Sequence, residues 1–214
     1  MLGRSFTYKN GDTLIEVLFA IAVFSLVAVC SLSIMNQGSA TAQRSLEITL
    51  VRQQIDSQVE TLHFLNESYT AAYQSGMSYG DFDSNKPAGQ WAEMMERINS
   101  NTTVSDFGLD NGKCPTPDPS KSFILNTRRA TFVEPSNGLI KQATTFAQVR
   151  YDSSDNIDRP EGIWIEAIHK TFGSNNIQKN AAYVDFHIRA CWDDPGHVMP
   201  MTLGTIVRLY EPKG

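Results

Sequence analysis

The stretch NGDTLIEVLFAIAVFSLVAVCSLSIM, Asn10 to Met35, sets one carboxylate, Glu16, at the mouth of an otherwise almost unbroken apolar run. From Val17 to Met35 no side chain is charged, and the polar interruptions are Ser25, Ser31 and Ser33. A helix satisfies such hydroxyls by bonding them back to its own carbonyls, so the length predicts a membrane-spanning helix. The preceding MLGRSFTYKN carries Arg4 and Lys9 and no acid. That bias predicts a cytoplasmic amino-terminal flank, with everything beyond about residue 36 on the far side of the membrane.

Simpler readings of the run leave Glu16 unexplained. A secretory signal has a shorter apolar region, about 7 to 15 residues, and does not open with a carboxylate, although Gly38-Ser39-Ala40 has the small side chains of a cleavage site. A lipoprotein signal wants a small residue before its cysteine, and Val29 precedes Cys30. A plain uncleaved anchor accounts for the length and the charges and makes GDTLIE an accident. The carboxylate itself costs at most about 2.5 to 3.5 kcal/mol in the apolar phase, less beside a positive partner.

The order of residues supplies such a partner. A basic leader, then Gly11, then Asp12, then Thr13-Leu14-Ile15-Glu16-Val17 and a long apolar helix resembles the class III signal of type IV prepilins and type II secretion pseudopilins, over residues 1–36. The resemblance implies that a prepilin peptidase cuts after Gly11 on the cytoplasmic side, making 1–11 a leader peptide, and N-methylates the new terminus at Asp12. Where the family begins with phenylalanine or methionine, this chain has Asp12. It implies that Glu16 registers the subunit during filament assembly by attracting the α-amine of Asp12 or of a neighbouring subunit, an attraction little screened in a water-poor bundle. The implied partners are other pilin subunits, the peptidase, and a pilus or secretion assembly platform. The implied place is the inner membrane, single-pass with the remainder outside the cytoplasm, and an extracellular filament after assembly.

Beyond Met35 the apolar pattern narrows to one face, with Ile48, Val51, Ile55, Val59, Leu62 and Leu65 spaced by three or four. No proline stands between Asp12 and Asn85. One helix over about 12–66 is therefore predicted, roughly 80 Å long, with Gly38 its softest point. Residues 12–36 form a transmembrane or filament-core half, 37–66 an amphipathic half, and 67–214 a globular part. Glycine, asparagine and proline predict loops over 75–87 and 105–121, with a short helix over Gln90–Ile98 between them. Strand signals follow at Ser122–Thr127, Ala130–Glu134, Ala143–Tyr151, Gly162–His169, Ala181–Trp192 and Leu203–Tyr210, with Asn137-Gly138 a hairpin turn. Along the fifth, Val184, Phe186, Ile188, Ala190 and Trp192 alternate with Asp185, His187 and Arg189, so one face meets a core. The fold class predicted is α+β: a long amino-terminal helix whose later half packs on an antiparallel sheet, which is also the pilin plan.

The chain of 214 residues with 41% hydrophobic content can bury one sizeable core. A net charge of −5 without any basic block disfavours nucleic acid as a partner. Cys114 and Cys191 stand far apart in polar sequence, open to one disulfide or to two buried free thiols. The family resemblance favours the disulfide, because pilin heads commonly carry a disulfide-bounded region. His63, His169, His187 and His197 show no paired ligand spacing, which argues against zinc. Asp81-Phe82-Asp83-Ser84-Asn85 starts like a calcium loop, but Lys86 stands where glycine is needed and Ala92 where the bidentate acid belongs. Asp152, Asp155 and Asp158, with Asn156, form a second acidic loop, a weak calcium candidate or a solvated turn. Trp192, at the end of a strand, reads as core or sheet-edge packing rather than ligand stacking. No nucleophile motif or phosphate loop is present, so no catalytic residue and no cofactor are expected. The length and loop-rich remainder favour a minor pilin of a type IV pilus. The alternatives are a type II secretion pseudopilin and, in another class, a membrane-anchored extracellular binding protein outside any filament.

Overall fold

The computed structural model describes residues 12–77, 79–98, 101, 103–109, 111–134, 140–170, 182–193 and 199–212. Gly11, the Asn137-Gly138 turn and His197 lie outside them. The chain divides into two compact units between Leu46 and Glu47.

Helix α1 runs Asp12–Gln74, helical through Gly38 and eight residues past the predicted end. Tyr69 extends the buried stripe one turn beyond Leu65 and packs against Phe82 with ring centroids 5.0 Å apart. The stop is Gly76. At φ +93° it takes the left-handed conformation that L side chains avoid, its amide donates to the Tyr73 carbonyl, and that of Met77 donates to Ala72. Up to Leu46 every described side chain from Leu14 on is exposed, and this part of α1 is long and apolar enough to span a membrane.

The second unit has a mixed α+β architecture. After a 3-10 turn at Tyr79–Asp81, helix α2 spans Pro87–Ile98, three residues earlier than expected because proline suits the first turn of a helix. Strands β1 (Ser122–Asn126), β2 (Thr131–Val133), β5 (Ile163–Lys170), β6 (Tyr183–Trp192) and β7 (Met201–Tyr210) form one sheet in the order β2-β1-β5-β6-β7, every pair antiparallel. Strands β3 (Gln148–Tyr151) and β4 (Ile157–Glu161) make a separate hairpin. One strand expectation needs correcting, and one strand, β4, was not expected. The segment from Ala143 is extended only from Gln148, because Lys141 and Ala143 instead make isolated bridges to Glu161 and Trp192. Strand β4 was hidden by Pro160, tolerated because this hairpin lies outside the main sheet and the Pro160 carbonyl accepts from Lys141.

Val51, Ile55, Leu62 and Leu65 of α1, Trp91, Met94 and Ile98 of α2, and Phe123, Ile165, Phe186, Ile188 and Trp192 of the sheet share one core. Gln58 locks helix to sheet by donating to the Leu125 carbonyl (2.9 Å) and accepting its amide (3.0 Å). The alternation along β6 is as expected on the core side. On the opposite side Arg189 and Cys191 are also buried, because the segment around Ser105, Phe107 and Cys114 covers that end of the face.

Candidate functional site

Two places answer to the site residues read from the sequence. The first is the start of α1. Asp12 is its first residue and Glu16 stands one turn on, at the i, i+4 spacing that puts two residues on one helix face. Glu16 is exposed, as are Leu18, Phe19, Phe24 and Met35. Ser25 and Ser31 donate to the carbonyls of Ile21 and Val27, each at 2.8 Å, so these hydroxyls need no outside partner. Glu16 is then the single charged side chain between residues 14 and 43.

The second place is the covered face of β5 and β6. Cys114 and Cys191 are bonded, with Cα atoms 5.7 Å apart. Beside the bond, Glu166 and Arg189 are buried on adjacent strands, 3.6 Å apart. The Ser105 amide donates to Glu166 Oε2 (2.6 Å), Trp164 Nε1 donates to Oε1 (3.1 Å), and Arg189 Nη1 donates to the Ser105 carbonyl (2.8 Å). Phe107 meets Trp164 edge-on at 5.7 Å and lies under the Arg189 guanidinium at 5.0 Å. No local sequence pattern marks this network. Trp164 and Glu166 are two apart on one strand, but only the register, with Trp164 opposite Arg189, brings the acid diagonal to the base. Nearby, burial first and the Arg189 charge second hold the His187 imidazole below its ordinary value.

These arrangements strap a loop onto the sheet. Both Glu166 oxygens are occupied and Arg189 is spent on Ser105 and Glu166. The hollow beside the disulfide, lined by Cys114, Pro115, Gly162 and Trp164 among others, holds about 110 Å³, below the roughly 300 Å³ at which small-molecule sites begin. Gly162 is required there. Its φ is +64°, its amide donates to the Lys141 carbonyl, and a Cβ would lie 2.3 Å from the Cys191 carbonyl oxygen.

The acidic loop is the turn of the β3–β4 hairpin. Asp152 accepts the amides of Ser154 (2.8 Å) and Asn156 (2.9 Å), which hold its carboxyl below the usual range. Asp155 pairs with Arg128, and Asp158 lies 3.5 Å from Arg159. Asp152 thus serves the turn while Asp155 and Asp158 face arginines, and no group of three metal-ligating side chains gathers among the described residues. Asp83 caps its own turn by accepting the Asn85 amide (2.9 Å). Of the described histidines, His169 meets Glu211 at 2.8 Å. Trp192 is core, its Nε1 donating to Glu47 (3.2 Å). Comparison with protein-family models, with characterised proteins and with solved structures gives no match to this chain.

Proposed function

We propose that this chain is a membrane-inserted filament subunit of the type IV pilin class, a minor pilin, whose work is assembly and not catalysis. The observation that carries the reading is Glu16, a lone acid near the start of an apolar helix whose side chains are exposed from Leu14 to Leu46 and which continues into the core of a folded unit. So much contiguous apolar surface needs covering. Lipid covers it before assembly, and the helices of other subunits cover it afterwards. Glu16, carried into either environment, is offset by an α-amine generated at Asp12. The disulfide fits an oxidising location for the unit that follows.

Chemical sequencing of the protein recovered from shed filaments should begin at Asp12. A start at Met1, or at Thr41 beyond the small-residue stretch, would remove the basis of the reading. A companion test uses Glu16→Ala. Cleavage after Gly11 and membrane insertion should be unchanged, since the substitution removes a cost in the apolar phase. Incorporation into sheared filaments, relative to the membrane pool, should fall at least about tenfold, the equivalent of losing one poorly screened ion pair of about 1.4 kcal/mol. Equal ratios for the two proteins would refute the role of Glu16.

A further inference from the structure

The disulfide presents its two sulfurs unequally. Cys191 is fully buried on β6, where its amide donates to the Gly162 carbonyl at 2.8 Å and Thr202 of β7 pairs with it on the other side. Cys114 is half-buried and lies outside every helix and strand. Pro115 and Pro117, just beyond it, have no amide hydrogen with which to fasten the segment.

Both cysteines line the hollow of about 110 Å³. A water needs about 10–15 Å³ of such space, so the hollow takes the sulfur and first methylene of a thiol while the rest of that molecule stays outside. Lys141 is the one charged side chain that lines it among the described residues. Its side chain is exposed, and its backbone is fixed: the amide donates to the Pro160 carbonyl at 2.9 Å and the carbonyl accepts from the Gly162 amide at 2.7 Å. Asp193 accepts from Gln142 at 3.1 Å and does not line the hollow.

We propose that Cys114 Sγ is a thiol-exchange site, reached through this hollow without unfolding, at which a small anionic thiol forms a mixed disulfide. The incoming thiolate bonds to Cys114 Sγ, the bond to Cys191 breaks, and its electron pair leaves on Cys191 Sγ, which takes a proton from water. A second thiolate then attacks the outer sulfur of the mixed disulfide. The Cys114 thiolate leaves and is protonated, and the two small thiols depart as their own disulfide, having given up two electrons. Access sets the direction, because a path to Cys191 first would run through the strap or the sheet. Lys141 favours the negative sulfur twice, since the approaching thiolate and the departing one share the same hollow. Neither cysteine belongs to the helix–sheet core, so exchange frees the strap and leaves the core intact. The bond is thus a redox-sensitive clasp, whether or not the chain enters a filament.

The test uses the full chain in its membrane, in a Cys30→Ser background, with glutathione as the probe. After quenching with acid, alkylation of free thiols and mass mapping should find glutathione on Cys114 and a free thiol at Cys191, at least about tenfold in excess over the reverse arrangement. Lys141→Gln should lower the ratio of the glutathione rate to the rate with cysteamine, which carries an amine in place of carboxylates, at least about threefold. The denaturation midpoint of the oxidised protein should not move, and a merely structural defect would change both rates together. Raising the salt concentration on the parent protein should lower the same ratio. Glutathione spread equally over both cysteines, exchange that starts only where denaturant unfolds the core, or a rate ratio indifferent to Lys141→Gln and to salt would each overturn the proposal.

Discussion

Replacing Arg189 by methionine should destabilise the second unit by about 3–5 kcal/mol, because it leaves the Glu166 carboxylate buried without its countercharge. Methionine keeps apolar bulk against Phe107, so the loss reports charge more than volume. For a unit of this size the shift in Tm is roughly 10 °C. Glu166→Gln alone should also destabilise, since one face of the amide would set a donor against the Ser105 amide or Trp164 Nε1. On the Arg189→Met background the same change should instead stabilise, by removing the stranded charge. That reversal is the signature of a coupled pair, worth about 1–3 kcal/mol in a double-mutant cycle. Denaturation followed by tryptophan fluorescence reads this unit alone, because Trp91, Trp164 and Trp192 all lie in it. Additive single and double losses would mean the two side chains do not act as a pair.

The same substitution has a pH signature. His187 is held low by burial and by the Arg189 charge, so near pH 6.5 the unfolded chain binds more protons than the folded one, and stability falls as pH drops through that window. Without Arg189 the fall from pH 8 to 5 should be shallower. Burial, the larger cause, remains, and so does part of the slope.

The network shows where reading the sequence succeeds and where it stops. The stripe Ile48 to Leu65 was legible because helical periodicity is local, and the core face of β6 was legible because a strand alternates every second residue. Helix α1 ran past residue 66 because Tyr69, amphipathic and easily discounted, continued the stripe until a glycine could end it. The other face of β6 was misjudged. Arg189 belongs by alternation with Asp185 and His187, yet a distant loop covers it, and only the pairing register sets it diagonal to Glu166. The bond between Cys114 and Cys191 was one of two options from composition, since sequence separation carries no distance. The assembly reading of Glu16 rests on local order alone, on a glycine, a short motif and an apolar run. It needs no tertiary information, because its residues are contiguous in the chain.

Removing the disulfide with Cys114→Ser and Cys191→Ala should cost about 2–4 kcal/mol, with a different spatial signature from Arg189→Met. The bond joins residues 77 apart, and chain entropy for such a loop gives about 4.5 kcal/mol as an upper figure. Cys191 is fully buried on β6, so alanine there leaves little polar cost, while serine at the half-buried Cys114 stays solvated. Ser105 still holds Glu166 and Arg189 after the change, and the helix–sheet core does not include the strap. The freed segment is therefore the stretch between Phe107 and Pro117, which contains the exposed Lys113. Trypsin should cut after Lys113 at least about tenfold faster in the variant, or in the reduced parent protein, well below the denaturant concentration that unfolds the core. Arg189→Met, by contrast, should lower the global midpoint with the Cys114 tether still in place. Unchanged cleavage and an unchanged midpoint on reduction would show that Ser105 and Phe107 alone hold the strap.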